Sequence, residues 1–143
     1  MAKTFSTMVQ FQALVESLIT KALMAASVRI TRELRNIVDE QYYKDPEFYP
    51  NLYRRTNMFL DSASYQLIGK NIAEIGINTD EMHYKNGFDP DQVVEWASNS
   101  QHGADYFQTS TTDFWTVFED WADKNVIKIL REELINQGLT LTK

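Results

Sequence analysis

The sequence predicts an α+β fold: a long N-terminal amphipathic helix, a central antiparallel β-hairpin, and a C-terminal amphipathic helix packed on it. Three observations carry this. Met1 to Asp45 holds neither glycine nor proline, and its apolar residues recur mostly at three- and four-residue steps. Between Ser64 and Ile77 that period gives way to short runs of strand-forming residues around a glycine-bearing connection. A second helical stripe then runs from Phe114 to a terminal Gly138.

The first helix is expected over residues 7–41. Phe11, Leu14, Leu18, Ala22, Ala26, Ile30, Leu34 and Ile37 fall along one stripe, and Thr7 with Gln10 has capping-box spacing. About 35 helical residues span about 50 Å. That is longer than a compact domain of 143 residues requires, so part of the rod is expected to pack on a neighbour. A break near Ser27, giving two ordinary helices, is the alternative. Residues 42–62 follow, where Pro46 and Pro50 forbid a regular helix and five aromatics gather: Tyr42, Tyr43, Phe48, Tyr49 and Tyr53. A short helix through Thr56, Met58, Phe59 and Leu60 should end near Ser62.

The hairpin is expected over residues 64–78, as strands Ser64–Ile68 and Ile72–Ile77 joined by Gly69-Lys70-Asn71. Ala73, Ile75 and Ile77 share one strand face and Glu74 points the other way. A polar loop from Asn78 to Phe88 leads to Asp89-Pro90, an N-cap followed by proline at the first helical position, which opens a short helix over 90–97. Ser98 to Thr109 reads as loop. The last helix is expected over 112–137, starting at Thr111 or Thr112. The tail Leu139–Lys143 is left as an edge strand or disordered end. No repeat, low-complexity tract or linker interrupts the chain, so residues 1–143 are expected to form a single domain.

Composition excludes several functions. Apolar residues at 43% and aromatics at 13% are too abundant for a disordered chain. Fourteen basic against 20 acidic residues leave a net charge of −6, unsuited to gripping a phosphate backbone, so no specific nucleic-acid binding is expected. With no cysteine, disulfides and thiolate chemistry are out. The first 26 residues are interrupted by Gln10, Gln12, Glu16, Ser17, Thr20 and Lys21, and are expected to be neither signal peptide nor membrane span.

A search for chemistry finds little. Five scattered glycines form neither a dinucleotide fingerprint nor a Walker loop. His83 and His102 lack a metal-ligand spacing and read as solvated loop residues. Asp113, Glu119, Asp120 and Asp123 make the first half of the last helix acidic, which suits the helix dipole, with Asp113 nearest its positive end. Trp96, Trp115 and Trp121 read as core or interface anchors. No catalytic residue, metal or cofactor is expected. An enzyme with an unfamiliar carboxylate site on Asp113, Asp120 or Asp123 is the remotest reading.

The most distinctive stretch is Tyr49-Pro50-Asn51-Leu52-Tyr53-Arg54-Arg55-Thr56. Its tyrosines suit an interface, burying ring bodies while hydroxyls stay wet, and Arg54 and Arg55 could pair with a neighbour or with Glu47 or Asp61. Packing beneath the long helix is the equal alternative. The segment also resembles a known pattern, Y-x-P-x-x-Y-x-R-T-x-x-L-x-x-S, between a long N-terminal helix and a hairpin. That pattern is similar to small neck proteins of tailed bacteriophages of Gram-positive bacteria, in the head–tail connector or tail-completion group. Pro50, Tyr53, Arg55, Thr56 and Ser62 match it; Phe48 stands for its first Tyr and Phe59 for its Leu. Val94-Glu95-Trp96, His102-Gly103 and the closing helix add to the likeness.

The resemblance implies a non-enzymatic homo-oligomeric ring in the virion neck, made in the host cytoplasm. Its partners would be the portal or adaptor on one side and the tail tube or terminator on the other, with no membrane involved. An acidic lining would let DNA pass without sticking. Tyr49, Tyr53, Arg54, Arg55 and Thr56 are the expected interface residues. A small acidic phage-encoded inhibitor, binding a basic groove on a host defence protein in a salt-sensitive way, is the alternative.

Overall fold

The computed structural model describes residues 7–44, 57–84, 87–99, 113–140 and 142. In chain order these form α1 (Met8–Val38) with a π-helical turn (Asp39–Tyr43), α2 (Met58–Asp61), β1 (Ala63–Leu67), β2 (Ala73–Ile77), a 3-10 turn (Thr79–Glu81), α3 (Pro90–Ser98) and α4 (Phe114–Asn136). The fold is α+β, with the antiparallel hairpin and α4 both packed on α1.

α1 begins where the Thr7 side chain accepts the Gln10 N–H at 3.3 Å. It runs unbroken through Ser27, whose hydroxyl donates to the Leu23 carbonyl at 2.8 Å and so is satisfied inside the core. Ala22, Ala26, Ile30, Leu34, Ile37 and Val38 are its buried stripe. Helical winding does not stop at Gln41. It widens after Val38, and the Lys44 N–H reaches back five residues to the Asp39 carbonyl at 2.8 Å. Through this turn Tyr42 enters the core.

There Tyr42 meets Phe59 edge-on at 5.3 Å, and Phe59 meets Phe114 in the same way at 5.5 Å. The Tyr43 hydroxyl accepts the Leu60 N–H at 3.2 Å, tying the end of α1 to α2. From Phe114 the ring contacts continue through Trp115 and Phe118 to Trp121. Phe118 is thus core, Trp115 and Trp121 are partly buried packing against it, and α1, α2 and α4 meet around Phe59, which is 1% exposed.

The strands lie one residue earlier than the pattern suggests at β1's start. Pairing sets Ala63 opposite Ile77, Tyr65 opposite Ile75 and Leu67 opposite Ala73, and leaves Ile68 in the connection. That connection closes through the Ile68 N–H to the Ile72 carbonyl at 2.8 Å, with Gly69 at φ +77°, a conformation that suits glycine. Its tip rests on α1. The Thr20 hydroxyl donates to the Lys70 carbonyl at 2.8 Å, and the Lys70 ammonium lies 3.2 Å from Glu16.

Two further boundaries differ. The stretch after β2 is not plain loop: the Asn78 side chain caps the 3-10 turn, and Met82 behind it is almost fully buried. α4 begins at Phe114, capped by Asp113, rather than at Thr111 or Thr112. Its two carboxylate oxygens accept the Trp115 N–H at 3.0 Å and the Thr116 hydroxyl at 3.2 Å. At the other end Gly138, at φ +88°, closes α4 as Leu139 N–H reaches the Leu134 carbonyl at 3.1 Å.

One buried side-chain atom is left over. Among the described residues, the Thr31 hydroxyl is buried without a hydrogen-bond partner. An orphaned hydroxyl costs its desolvation, and valine keeps the shape. Thr31→Val is therefore expected to stabilise the fold by about 1 kcal/mol. A higher urea midpoint with an unchanged slope would show it; a lower midpoint would mean that the hydroxyl has a partner in solution.

Candidate functional site

The interface residues expected from the sequence, Tyr49, Tyr53, Arg54, Arg55 and Thr56, lie outside the described residues, as do Glu47, Phe48 and His102. Their flanks are described. Tyr43 and Phe59, on either side of that segment, stand with ring centroids 6.3 Å apart. Asn57, just before α2, adopts φ 62°, a left-handed conformation that asparagine tolerates. Asp61, one intrachain partner considered for Arg54 or Arg55, pairs with Arg35 at 2.9 Å.

Asp113 is a helix cap, while Asp120 and Asp123 are exposed on α4. His83 is exposed, and its backbone N–H donates to the Met58 sulfur at 3.4 Å. Among the described residues no group of three or more His, Asp or Glu could hold a metal ion. One depression, about 730 Å³, is an open groove along the hairpin, lined by Gln66, Glu74, Asp80 and Glu81 among others. It offers carboxylates, amides and the hydroxyl-bearing Ser64 and Tyr65 to solvent.

The surface that stands out is the N-terminal half of α1, within the rod of which part is expected to pack on a neighbour. The apolar spacing of α1 continues unchanged from Met8 to Val38, yet burial starts only at Ala22. The preceding 14 residues, about 21 Å of helix, run past the core. There Met8 is 71% exposed, Val9 72%, Phe11 48% and Ile19 37%. Leu14, Val15 and Leu18 are half-buried. A contiguous apolar patch of this kind marks an interaction site more often than a solvated face.

α4 sets where the covered part of α1 ends. Arg29 bridges to Glu133 at 2.7 Å and Glu132 at 2.8 Å, clasping the last turns of α4. α4 stops at Asn136, so α1 outreaches it. The hydrogen bonds that Arg29 donates to Glu132 and Glu133 raise its pKa. Those from Arg29 and Asn136 lower the Glu133 carboxyl below its ordinary range. A depressed carboxylate stabilises the fold above its unfolded pKa, near about 4.3, and the effect is lost as pH falls through the folded value. Melting temperature is therefore expected to fall on acidification below that range, and Glu133→Gln to flatten the fall. Coincident acid limbs for parent and variant would remove Glu133 from the account.

No described helix is long and apolar enough to cross a membrane. The family model described as YomN matches residues 7–138, from the cap of α1 to the glycine that closes α4. No curated protein and no solved structure matches the chain.

Proposed function

The chain belongs to the YomN family, a phage-derived one, and from that premise we propose that it is a non-catalytic structural subunit of the phage particle. Its place is the neck, where a ring joins the capsid connector to the tail and DNA passes through. The observation that carries this reading is the apolar half of α1 that projects beyond the core. An apolar helix held out in water costs stability unless a neighbour covers it. A phage-derived subunit finds such neighbours in a particle. The match of Pro50, Tyr53, Arg55, Thr56 and Ser62 to the neck-protein pattern supports the location, and the net charge of −6 suits a passage for DNA.

Purified particles test the role. The protein is expected in them in multiple copies, and its loss to yield filled heads and tails that do not join. Its absence from particles, together with capture of a host protein in a salt-sensitive complex, would establish the inhibitor reading instead. Tyr53→Ala with Arg55→Ala is expected to leave helical content unchanged and weaken binding to connector or tail components by at least about tenfold, as interface anchors do. Unchanged binding would remove this segment from the interface.

A further inference from the structure

We infer that the projecting half of α1 is a self-association surface, which pairs with the same stripe on a second copy of this chain. This deepens the structural role just proposed, and rests on it only for the purpose that the pairing serves.

The spacing is that of a helix meant for another helix. Met8, Phe11, Val15, Leu18, Ala22 and Ala25 follow one another by three, four, three, four and three residues. That is the alternation of a coiled-coil seam, with valine and leucine at its successive central positions. The next step of four reaches Arg29, which faces α4 and clasps Glu132 and Glu133. The row is thus one continuous seam. Its C-terminal part is occupied by a helix of the same chain, and its N-terminal part runs beyond that helix's end. What fits the open part is a further helix in the same kind of contact.

Charge favours a second copy as that helix. Two chains of net charge −6 repel each other wherever acidic faces meet. From Met8 to Thr20 the one charged residue is Glu16, and its carboxylate is engaged by Lys70 on the side of α1 where the hairpin tip sits. Gln10, Gln12 and Ser17 are neutral, so two stripes meet without like charges in the seam. The area is adequate too. At side-chain areas usual for these residues the stripe offers about 500 Å² per chain, about 1,000 Å² for a pair, which is the lower bound of a specific interface. Association should accordingly be concentration-dependent, and should persist at high salt because its driving force is apolar burial.

The test is light scattering of the full 16.6 kDa chain across concentration and salt. The parent is expected to form dimers or larger species, and Val15→Glu with Leu18→Glu to raise the concentration at half-association by at least about tenfold. Ile127→Glu, at an exposed position on α4, should leave it unchanged. A second measurement stands even if the double variant loses helicity. The chain has no cysteine, so single cysteines report contacts cleanly. Val15→Cys is expected to form disulfide-linked dimers on mild oxidation, and Ser17→Cys, off the seam, to form few. A strict monomer at every concentration, or equal cross-linking at both positions, overturns the pairing. A monomeric chain still found in particles would overturn this inference alone; a self-pairing chain absent from particles would overturn the structural role alone.

Discussion

Phe59→Ala is expected to destabilise the protein by about 3–5 kcal/mol, a large part of what a domain of this size has. Phe59 is 1% exposed and sits where three elements meet, touching Tyr42 and Phe114 edge-on and Tyr43 at a tilt. Truncation opens a cavity that α2, a helix of four residues held by its own burial, cannot refill. The edge-to-face contacts are lost as well, each worth about 0.5–1.5 kcal/mol. A melting temperature about 10–15 °C lower is the expected reading for a chain of this length. Phe88, at 43% exposure and against Trp96, is the control, and Phe88→Ala should lower it by a few degrees at most. If both variants melted alike, Phe59 would not be the joint of the core.

Proline tells the two halves of α1 apart. Arg32→Pro is expected to abolish folding, whereas Gln12→Pro should leave the core melting nearly unchanged and weaken self-association. The chemical lesion is the same in each: a lost N–H bond and a clash with the carbonyl four residues back, costing about 3 kcal/mol or more in a helix interior. Arg32 is itself exposed but lies between buried Ile30 and Leu34, so a kink there misplaces both. Gln12 lies ten residues before the first buried position, Ala22, and breaking the helix there frays residues that no core contact depends on. Circular dichroism melts, with amide exchange resolved along α1, would separate the outcomes. Equal loss of stability would mean that the projecting half is part of the fold's foundation rather than a surface.

Much of the architecture was legible because its signals are local. Thr7 with Gln10 marks the start of α1, Asp89-Pro90 the start of α3, and Gly138 the end of α4, each within a few residues of the backbone group it satisfies. The hairpin followed from strand-forming runs flanking Gly69-Lys70-Asn71. Local signals also misled by small amounts. The sequence places the start of the last helix at Thr111 or Thr112, but Asp113 is its cap, with both carboxylate oxygens accepting hydrogen bonds from Trp115 and Thr116. The polarity around Asn78–Phe88 hid Met82, a single apolar anchor without a periodic neighbour to reveal it.

By itself the sequence determined that an apolar-striped helical stretch over about residues 7–41 opens the fold, that a hairpin and a second helix follow, and that no enzyme motif accompanies them; only the structure shows that the first helix runs unbroken through Ser27. Helical period, caps and turns depend on neighbours within about five residues, so the chain carries them at every position. Which part of the stripe is core was decided by tertiary structure alone. The spacing at Leu18 and at Ile30 is alike, but α4 covers one part and ends before the other, because Arg29 locks to Glu133 across 104 residues of sequence. Tyr42, Phe59 and Phe114 likewise meet from three separate segments. Burial depends on how far another element reaches, and that length is written nowhere in the stripe itself.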